Sequence, residues 1–269
     1  MTMQGHKPPP SATPPITTAD ATTQASYHLY FSSGLYDLRY PSPNRIMWQR
    51  IEQFLHAGAA VLDFGCGSGR YLMRLQGRVA RAAGFDVSPT ALETIRERAA
   101  RSEWHDLHVL GPDEADIADH TKAYGQVDLV LCLFGVLGHI TDETARAQAL
   151  LRMREALKPD SGRVLISVPN RARRFRAEQA RNRDTSGLVR YSRRTEDGQN
   201  VVLNYQLFDP EKLVQELAAA GFNLRRIGCE SVLPESWLLR NGLARRLDAL
   251  LTPLCPPRWG YGIYAEASC

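Results

Sequence analysis

The sequence predicts an α/β fold of the doubly wound type, with a mostly parallel sheet and helices on both of its faces. Short apolar runs alternate with helical segments from about residue 59 onward. The run 127–133 is apolar almost throughout, as expected for a central parallel strand that is covered on both sides. A glycine-rich turn follows the first strand, at residues 65–69. Such sheets bind ligands at the carboxyl ends of their strands, so this turn predicts a ligand site.

The first predicted strand, 61–64, leads into glycines at positions 65, 67 and 69. Glycine is needed there because the backbone visits positive φ and because a side chain would block a ligand from the backbone amides. The pattern therefore predicts a loop for a nucleotide-type cofactor. A dinucleotide fingerprint has a further glycine three positions after the second, and this chain has Arg70 there. The spacing disfavours a dinucleotide.

The segment V-L-D-F-G-C-G-S-G, residues 61–69, resembles motif I of the class I SAM-dependent methyltransferases. The resemblance is strong over residues 60–168 and general beyond them. It implies a Rossmann-like sheet of seven strands with an antiparallel last strand, and S-adenosylmethionine as the cofactor. The motif residues that it places at the cofactor are Asp63, Gly65, Cys66 and Gly67.

The second predicted strand, 79–85, is followed by Asp86 and Val87. Asp86 lies about 20 residues after the first glycine, where a carboxylate at the end of the second strand can accept both ribose hydroxyls. A solvated aspartate at a strand end is the alternative. Val87 is predicted to contact the cofactor beside it. A Ser-Pro pair then predicts the start of a helix that continues to residue 101.

An acidic segment follows the third predicted strand, 107–110. The resemblance implies that an acid placed just after this strand binds the adenine amino group and that a neighbouring amide meets a ring nitrogen. Asp113 is the first candidate by position, with Glu114 beside it, and Asp116 is the second. An ordinary acidic loop or a helix cap is the alternative for these residues.

The fourth predicted strand, 127–133, ends at Leu133 and leads toward His139. The end of this strand should line the place where cofactor and acceptor meet, which makes Leu133 a predicted cofactor contact. A general base is needed only if the acceptor is protonated. His139 is the candidate, because an imidazole titrates near working pH. A packed or hydrogen-bonded structural histidine is the alternative.

The remaining pattern completes the alternation of strands and helices. The sequence predicts these elements: a helix at 141–158 capped by Thr141 or Asp142, strands at 163–168, 188–194 and 200–207, a helix from 210 to 220, and strands at 222–229 and 261–265. We predict one domain over residues 23–269.

Residues 170–207 form a predicted basic lid. Nine arginines and only two acids lie between residues 171 and 194. Two strands joined through a D-G turn predict a hairpin over the carboxyl edge of the sheet. Arginines there suit an anionic acceptor: a phosphate, a carboxylate, a nucleic-acid backbone or an acidic carrier protein. A solvated charged loop is the alternative.

Residues 1–22 are rich in Pro, Thr and Ala, which predicts a disordered tail. Residues 23–57 form a predicted N-terminal helical cap with a cluster of aromatic residues. In the resembled family such a segment often walls the substrate pocket, and we expect Tyr36 and Tyr40 to face it. Aromatic packing on the sheet edge is the alternative. Tyr36 is also a candidate catalytic residue.

Residues 234–254 form a predicted amphipathic helical insertion before the last strand. Arginines lie on its other sides. The apolar stripe consists of Trp237, Leu238, Leu239, Leu243, Leu247, Leu250 and Leu251. Such a helix packs on its domain, dimerises, or lies on an anionic membrane surface. The last case would suit a lipid or prenyl acceptor and peripheral membrane contact.

The composition limits the remaining classes. The five cysteines are scattered without metal-binding spacing, which favours a reducing, cytoplasmic location and no metal. No stretch approaches 18 consecutive apolar residues. Outside the arginine-rich segment the chain is slightly acidic, unlike most nucleic-acid binders.

The leading hypothesis is a methyltransferase that acts on an oxygen or nitrogen of a small-molecule or lipid-linked, anionic acceptor. Arg39, Tyr40 and the form G-C-G-S-G-R-Y-L also resemble a tRNA-modifying branch that methylates wobble uridine carboxymethyl groups, which is the alternative. A non-catalytic SAM-binding subunit and an NAD-linked oxidoreductase are the other classes. The intact motif disfavours the former, and Arg70 disfavours the latter.

Overall fold

A computed structural model of the chain describes residues 29, 32, 34–182, 186–194, 198 and 200–269. The predicted disordered tail, the first residues of the predicted N-terminal cap and residues 195–197 and 199 at the turn of the hairpin lie outside the described residues.

Seven strands form one sheet and two form a separate hairpin. The strands are β1 Ala60–Phe64, β2 Arg81–Phe85, β3 Leu107–Val109, β4 Leu129–Cys132, β5 Arg163–Pro169, β6 Leu188–Arg194, β7 Asn200–Gln206, β8 Asn223–Ser231 and β9 Gly262–Ser268. The order in the sheet is β3-β2-β1-β4-β5-β9-β8. β1 to β5 are mutually parallel, whereas β9 is antiparallel to β5 and β8. The predicted fold class is confirmed.

Helices cover both faces of the sheet. Within the described ranges the α-helices are α1 Leu35–Arg39, α2 Arg45–Glu52, α3 Pro89–Arg101, α4 Ala115–Tyr124, α5 Val136–His139, α6 Glu143–Ala156, α7 Arg176–Asn182, α8 Pro210–Ala219, α9 Glu235–Arg240 and α10 Gly242–Leu251. Short 3₁₀ helices span Leu72–Leu75, Thr252–Leu254 and Pro257–Trp259.

The central strands bury both faces, so their sequences are apolar without alternation. Along β4, Leu129 and Leu131 belong to the core on one side, and Val130 and Cys132 belong to the core on the other. β1 lies between β2 and β4, and the strand order reverses there. The loop after β1 therefore opens at a topological switch point, where doubly wound folds bind ligands.

The predicted helix starts are present. The side chain of Ser88 caps α3 by accepting from Ala91 N, and Asp142 caps α6 by accepting from Ala145 N. Several predicted ends shift by one to three residues. The strand predicted at 127–133, for example, is shorter because Val127 forms only an isolated bridge.

The structure of the insertion at residues 234–254 has two features that the sequence did not predict. It contains two helices, because Asn241 leaves helical geometry at φ −132° and ψ 113° and caps α10 with its side chain. The leucines of α10 also do not pack on the domain: Leu243 and Leu250 are 66% and 71% exposed. The buried face of this helix consists of Ala244 and Asp248. The exposed leucines therefore do not support the alternative in which this stripe packs on the domain.

Asp248 holds the insertion against the sheet. Its Oδ1 accepts from the backbone N–H groups of Val232 and Leu233, both at 2.8 Å, and its Oδ2 accepts from Thr252 Oγ1 at 3.1 Å. The carboxylate thus satisfies donors of the chain that leaves β8. α10 is held through a polar contact, which leaves its leucines at the surface.

Candidate active site

The glycine turn has the backbone conformation that the sequence predicts. Gly65, Gly67 and Gly69 have φ values of 79°, 53° and 91°, which L side chains rarely adopt. The amides of Gly65 and Cys66 donate to the carbonyl of Phe85 at 2.8 and 3.0 Å. The turn is therefore attached to the end of β2, and Cys66 is buried in it.

Asp86 binds the turn from the neighbouring strand. Its Oδ2 accepts from the amide of Gly67 at 2.8 Å and its Oδ1 from the amide of Ser88 at 2.9 Å. Burial raises the pKa of Asp86 to about 6, although these two hydrogen bonds oppose the rise. The carboxyl group thus lies at the glycine turn, and its role toward the ribose stays a prediction.

Asp63 is buried at the end of β1, with 3% of its surface exposed. Its Oδ2 has no hydrogen-bond partner among the described residues. Burial, and then the charge of Asp86, raise the pKa of Asp63 to about 7. A buried carboxyl group with a vacant oxygen favours a cationic ligand. S-adenosylmethionine carries two cationic groups, an ammonium and a sulfonium, so these residues fit that cofactor.

The remaining predicted cofactor residues lie at neighbouring strand ends. Leu133 is buried directly after β4, and Val87 is exposed beside Asp86. Asp113 accepts from Ala115 N at 2.9 Å at the start of α4, as the helix-cap alternative describes. Glu114 is partly buried, and burial raises its pKa. Their adenine role stays a prediction.

In the sequence, Arg70 served only to disfavour a dinucleotide, but the structure places it at the centre of the site. Its guanidinium is buried, forms an ion pair with Glu235 of α9, and donates from Nε to the carbonyl of Ser42 at 2.7 Å. It also lies over the ring of Phe134, 4.4 Å from the centroid. Arg70 therefore connects the glycine turn to the insertion and to the N-terminal segment.

Aromatic rings form one wall of the site. Tyr36 is buried and meets Phe134 edge to face at 6.0 Å, and Tyr40 meets the same ring at 4.5 Å. Burial raises the pKa of Tyr36 far above its ordinary value, so it remains a neutral phenol. Phe134 has a positive φ of 63° and donates its amide to Ser167 Oγ at 2.7 Å. This strained position brings the ring to the end of β4.

His139 lies on α5 beneath the hairpin. Its ring is 4.2 Å from that of Tyr205 on β7, and it hydrogen-bonds the backbone of Asn204. Burial, and then the charge of Arg174, lower the pKa of His139 to about 3. The imidazole is neutral at working pH but only weakly basic. This environment favours the structural alternative, and its predicted role as the base stays untested.

Two further residues lie in the site that the sequence did not single out. Arg174 follows β5, and the centroids of the rings of Phe175, Tyr205 and Tyr261 lie 5.1–5.7 Å from its guanidinium carbon. Glu230 of β8 is partly buried, and its Oε1, which is inaccessible to solvent, has no hydrogen-bond partner in the described part of the chain. Arg174 was one of nine arginines in the basic segment, and Glu230 lay in a strand without a motif.

A surface groove of about 330 Å³ lies between α4 and α6, lined by residues such as Thr121, Lys122, Arg152 and Glu155. It is formed by helix side chains and not by strand ends. We therefore assign no part of the site to it.

The sheet order and the glycine turn are those of a Rossmann-like methyltransferase fold. The comparisons confirm the resemblance of this chain to the class I SAM-dependent methyltransferases. Residues 61–160 match the family described as a methyltransferase domain. A ubiquinone biosynthesis O-methyltransferase from Thiobacillus denitrificans is 32% identical over 130 residues, which are 48% of this chain and 52% of that protein. One from Xanthomonas oryzae pv. oryzae is 31% identical over 115 residues, or 43% and 45% of the two chains. The chain thus spans about half the length of these curated relatives.

Solved structures share the fold over most of the chain. A SAM-dependent methyltransferase from Clostridium acetobutylicum aligns with a TM-score of 0.61 and 13% identity, over 89% of this chain and 98% of that one. The complex of DhpI with SAM and HEP aligns with a TM-score of 0.61 and 17% identity, over 95% and 100%. At these identities the alignments show the fold alone.

The described residues contain no cluster of three or more His, Cys, Asp or Glu side chains that could hold a metal ion. None of their helices combines the length and the apolar character that crossing a membrane takes.

Proposed function

We propose that the protein is an enzyme that transfers a methyl group from S-adenosylmethionine to an oxygen or nitrogen of a small, anionic acceptor. The observation that carries the proposal is the glycine turn at the switch point, with the carboxyl groups of Asp63 and Asp86 beside it. The names of the relatives, which are O-methyltransferases, favour oxygen.

The cofactor would be held by residues at adjoining strand ends. Asp63 suits its cationic amino-acid end, and Asp86 suits the ribose hydroxyls. Asp113 and Glu114 lie one strand further out, on the side predicted for the adenine, because β3 pairs with β2. When bound, S-adenosylmethionine supplies a methyl group that its sulfonium has already activated. The main task of the chain is then to align the acceptor and exclude water.

The acceptor would enter between the aromatic wall and the hairpin. Tyr36, Tyr40 and Phe134 line one side, and Tyr205 lines the other. Arg174 lies among these rings and supports an anionic acceptor, because a guanidinium binds carboxylate or phosphate in a bidentate manner.

A lipid-linked acceptor is a second form of the same proposal. The exposed leucines of α10 and the adjacent Trp237, 60% exposed, support it, because a contiguous apolar face suits contact with lipid. The tRNA-modifying alternative stays a prediction, and binding that weakens steeply with salt would support it.

Calorimetric titration with S-adenosylhomocysteine tests the proposal. We expect binding to the wild type, no comparable binding of NAD, and at least about tenfold weaker binding to Asp86→Ala, because the ribose loses a charged hydrogen-bond acceptor. Asp106→Ala is the matched control, since Asp106 is exposed just before β3. Tight NAD binding without S-adenosylhomocysteine binding would overturn the proposal, and melting temperatures show whether each variant is folded.

A further inference from the structure

Two arginines and two glutamates lie near each other at the acceptor side of the site, and only one arginine–glutamate pair forms an ion pair. Arg70 and Glu235 form a buried ion pair. Arg174 and Glu230 attract each other electrostatically, yet no ion pair joins them among the described residues. Nε of Arg174 and Oε1 of Glu230 are both inaccessible to solvent and lack a hydrogen-bond partner among the described residues, which is costly for polar atoms. The arrangement is explained if a ligand completes it.

We propose, on the basis of the function proposed above, that Arg174 and Glu230 form a two-point acceptor subsite. Arg174 binds an anionic oxygen group of the acceptor, and Glu230 binds the hydroxyl group that is methylated. The ligand class is a planar aromatic acid, carboxylic or phosphoric, that also carries a hydroxyl group.

The surroundings of Arg174 support the first contact. Its Nε is inaccessible to solvent and has no hydrogen-bond partner among the described residues. The rings of Phe175, Tyr205 and Tyr261 stabilise the cation. Burial acts to lower the pKa of Arg174, but the neighbouring tyrosines raise it overall, so the side chain stays charged. A charged guanidinium with a free Nε–H is a donor for an anionic oxygen.

The surroundings of Glu230 support the second contact. One carboxyl oxygen takes part in a hydrogen bond with Ser167 of β5, which leaves Oε1 for a ligand. A Cβ atom at Gly262 would overlap the other oxygen, so this glycine makes room for the carboxyl group. Ser167 also accepts from the amide of Phe134, which connects Glu230 to the aromatic wall.

The chemistry of the step follows from this position. As the acceptor oxygen takes the methyl group, its O–H bond breaks and the proton moves to Oε1 of Glu230. The O–C bond forms, and the electrons of the S–C bond stay on the sulfur of S-adenosylhomocysteine. The proton leaves Glu230 for solvent when the products depart.

The pKa of Glu230 suits this proton transfer better than the pKa of His139 does. Burial, and then the charge of Glu235, raise the pKa of Glu230 to about 8, close to working pH. A bound sulfonium would lower this pKa, because an opposite charge favours the carboxylate. The other groups that act on it come from several elements: Arg70 of the glycine turn, Glu235 of α9, Arg174 after β5 and Ser167 of β5.

Binding of small probes in the presence of saturating S-adenosylhomocysteine tests the subsite. The probes are 3-hydroxybenzoate, 3-hydroxyphenyl phosphate, benzoate and phenol. We expect both hydroxy acids to bind at least about tenfold more tightly than phenol, and the tighter one identifies a carboxylate or a phosphate as the anion. If neither binds more tightly than phenol, the proposal is wrong. Retained S-adenosylhomocysteine binding would then leave the proposed function standing.

Variants assign the two contacts. Arg174→Gln should weaken the binding of both hydroxy acids at least about tenfold and leave the binding of phenol unchanged. Arg173→Gln, an exposed neighbour, should change neither. Arg174→Met serves if the Gln variant does not fold, because it also removes the charge, and an unchanged affinity in the folded variant overturns the anion contact. Glu230→Gln should bind 3-hydroxybenzoate within about threefold of the wild type, yet lose at least about 10²-fold in kcat and the rising limb of the kcat/KM pH profile. An unchanged profile overturns the proton role.

Discussion

Asp63 and Asp86 show how much of a site two carboxyl groups can define. Both are buried at neighbouring strand ends, and burial raises the pKa of each. A protein that buries acids without a full set of partners loses stability, which evolution tolerates at functional positions. The sequence predicted both residues, because their spacing from the glycines is a local property of the chain.

The first prediction concerns the pH dependence of stability at Asp63. With a folded-state pKa of about 7, the native protein keeps a proton that the unfolded chain loses above about pH 4. Asp63 therefore lowers the free energy of unfolding increasingly as pH rises from about 4 to 7. Asp63→Asn removes this effect, so the variant should gain stability relative to the wild type between pH 5 and 7.5. Urea unfolding at pH 5 and pH 7.5 measures the free energy of unfolding of both proteins. The same difference between variant and wild type at both pH values would contradict the prediction.

Arg70 shows what the sequence could not supply at this scale. Its position after the third glycine disfavoured the dinucleotide fingerprint, but it did not indicate which residues its side chain contacts. The partners, Glu235 and the carbonyl of Ser42, come from distant parts of the chain. A contact between residues so far apart in sequence depends on how the elements pack, and no local pattern encodes it. The same holds for Glu230.

Among the elements, the glycine turn was the most predictable, because it depends on backbone conformation. Gly65 and Gly77 both have positive φ, 79° and 70°. Their surroundings differ: a Cβ atom on Gly65 would overlap the side chain of Val136, whereas nothing lies within 4 Å of one on Gly77. The two positions therefore separate conformational strain from steric overlap.

The second prediction uses this pair. Gly77→Ala should cost about 1 kcal/mol of stability, which is the strain of positive φ alone. Gly65→Ala should cost about 3 kcal/mol, because the overlap with Val136 adds to the strain. It should also weaken S-adenosylhomocysteine binding, since the turn must shift. Chemical denaturation and calorimetry measure both effects, and equal destabilisation by the two substitutions would argue against the steric part.

The insertion is the element whose packing the sequence determined least. A leucine stripe predicts a packed face in most helices, but α10 packs through Ala244 and Asp248 instead. The periodicity of a helix gives the apolar side but does not say whether that side meets the domain, a partner or lipid. That outcome depends on where β8 and the 3₁₀ helix at Thr252–Leu254 lie.

At the scale of the whole molecule, a buried ion pair joins helices that lie far apart in the chain. Arg146 of α6 donates to both carboxylate oxygens of Glu216 on α8, at 2.9–3.2 Å. It also donates to the carbonyls of Ile140 and Thr141, both at 2.9 Å. Its hydrogen bonds all go to carboxylate or carbonyl oxygens, so removing it leaves several of these acceptors without this donor, although Lys212 still pairs with Glu216 at 3.1 Å.

The third prediction follows from that network. Arg146→Met should destabilise the protein by about 3–5 kcal/mol, because Glu216 keeps a buried charge without its main partner. Arg101→Met removes an exposed pair with Glu97 on α3 and should cost less than about 0.5 kcal/mol. Thermal and urea unfolding of the two variants check the contrast. A small effect at position 146 would show that the ion pair is dispensable.

The sequence by itself determined the α/β alternation, the helix caps at Ser88 and Asp142, and the glycine turn with its two acids. Each of these depends on backbone conformation, short-range hydrogen bonds or the apolar period, which neighbouring residues set. Only the tertiary structure decided that Arg70 pairs with Glu235, that the hairpin covers His139, and that Arg174 and Glu230 lie together without a bond. Those contacts join segments distant in sequence, and they form because burying the apolar faces of the sheet brings the segments together.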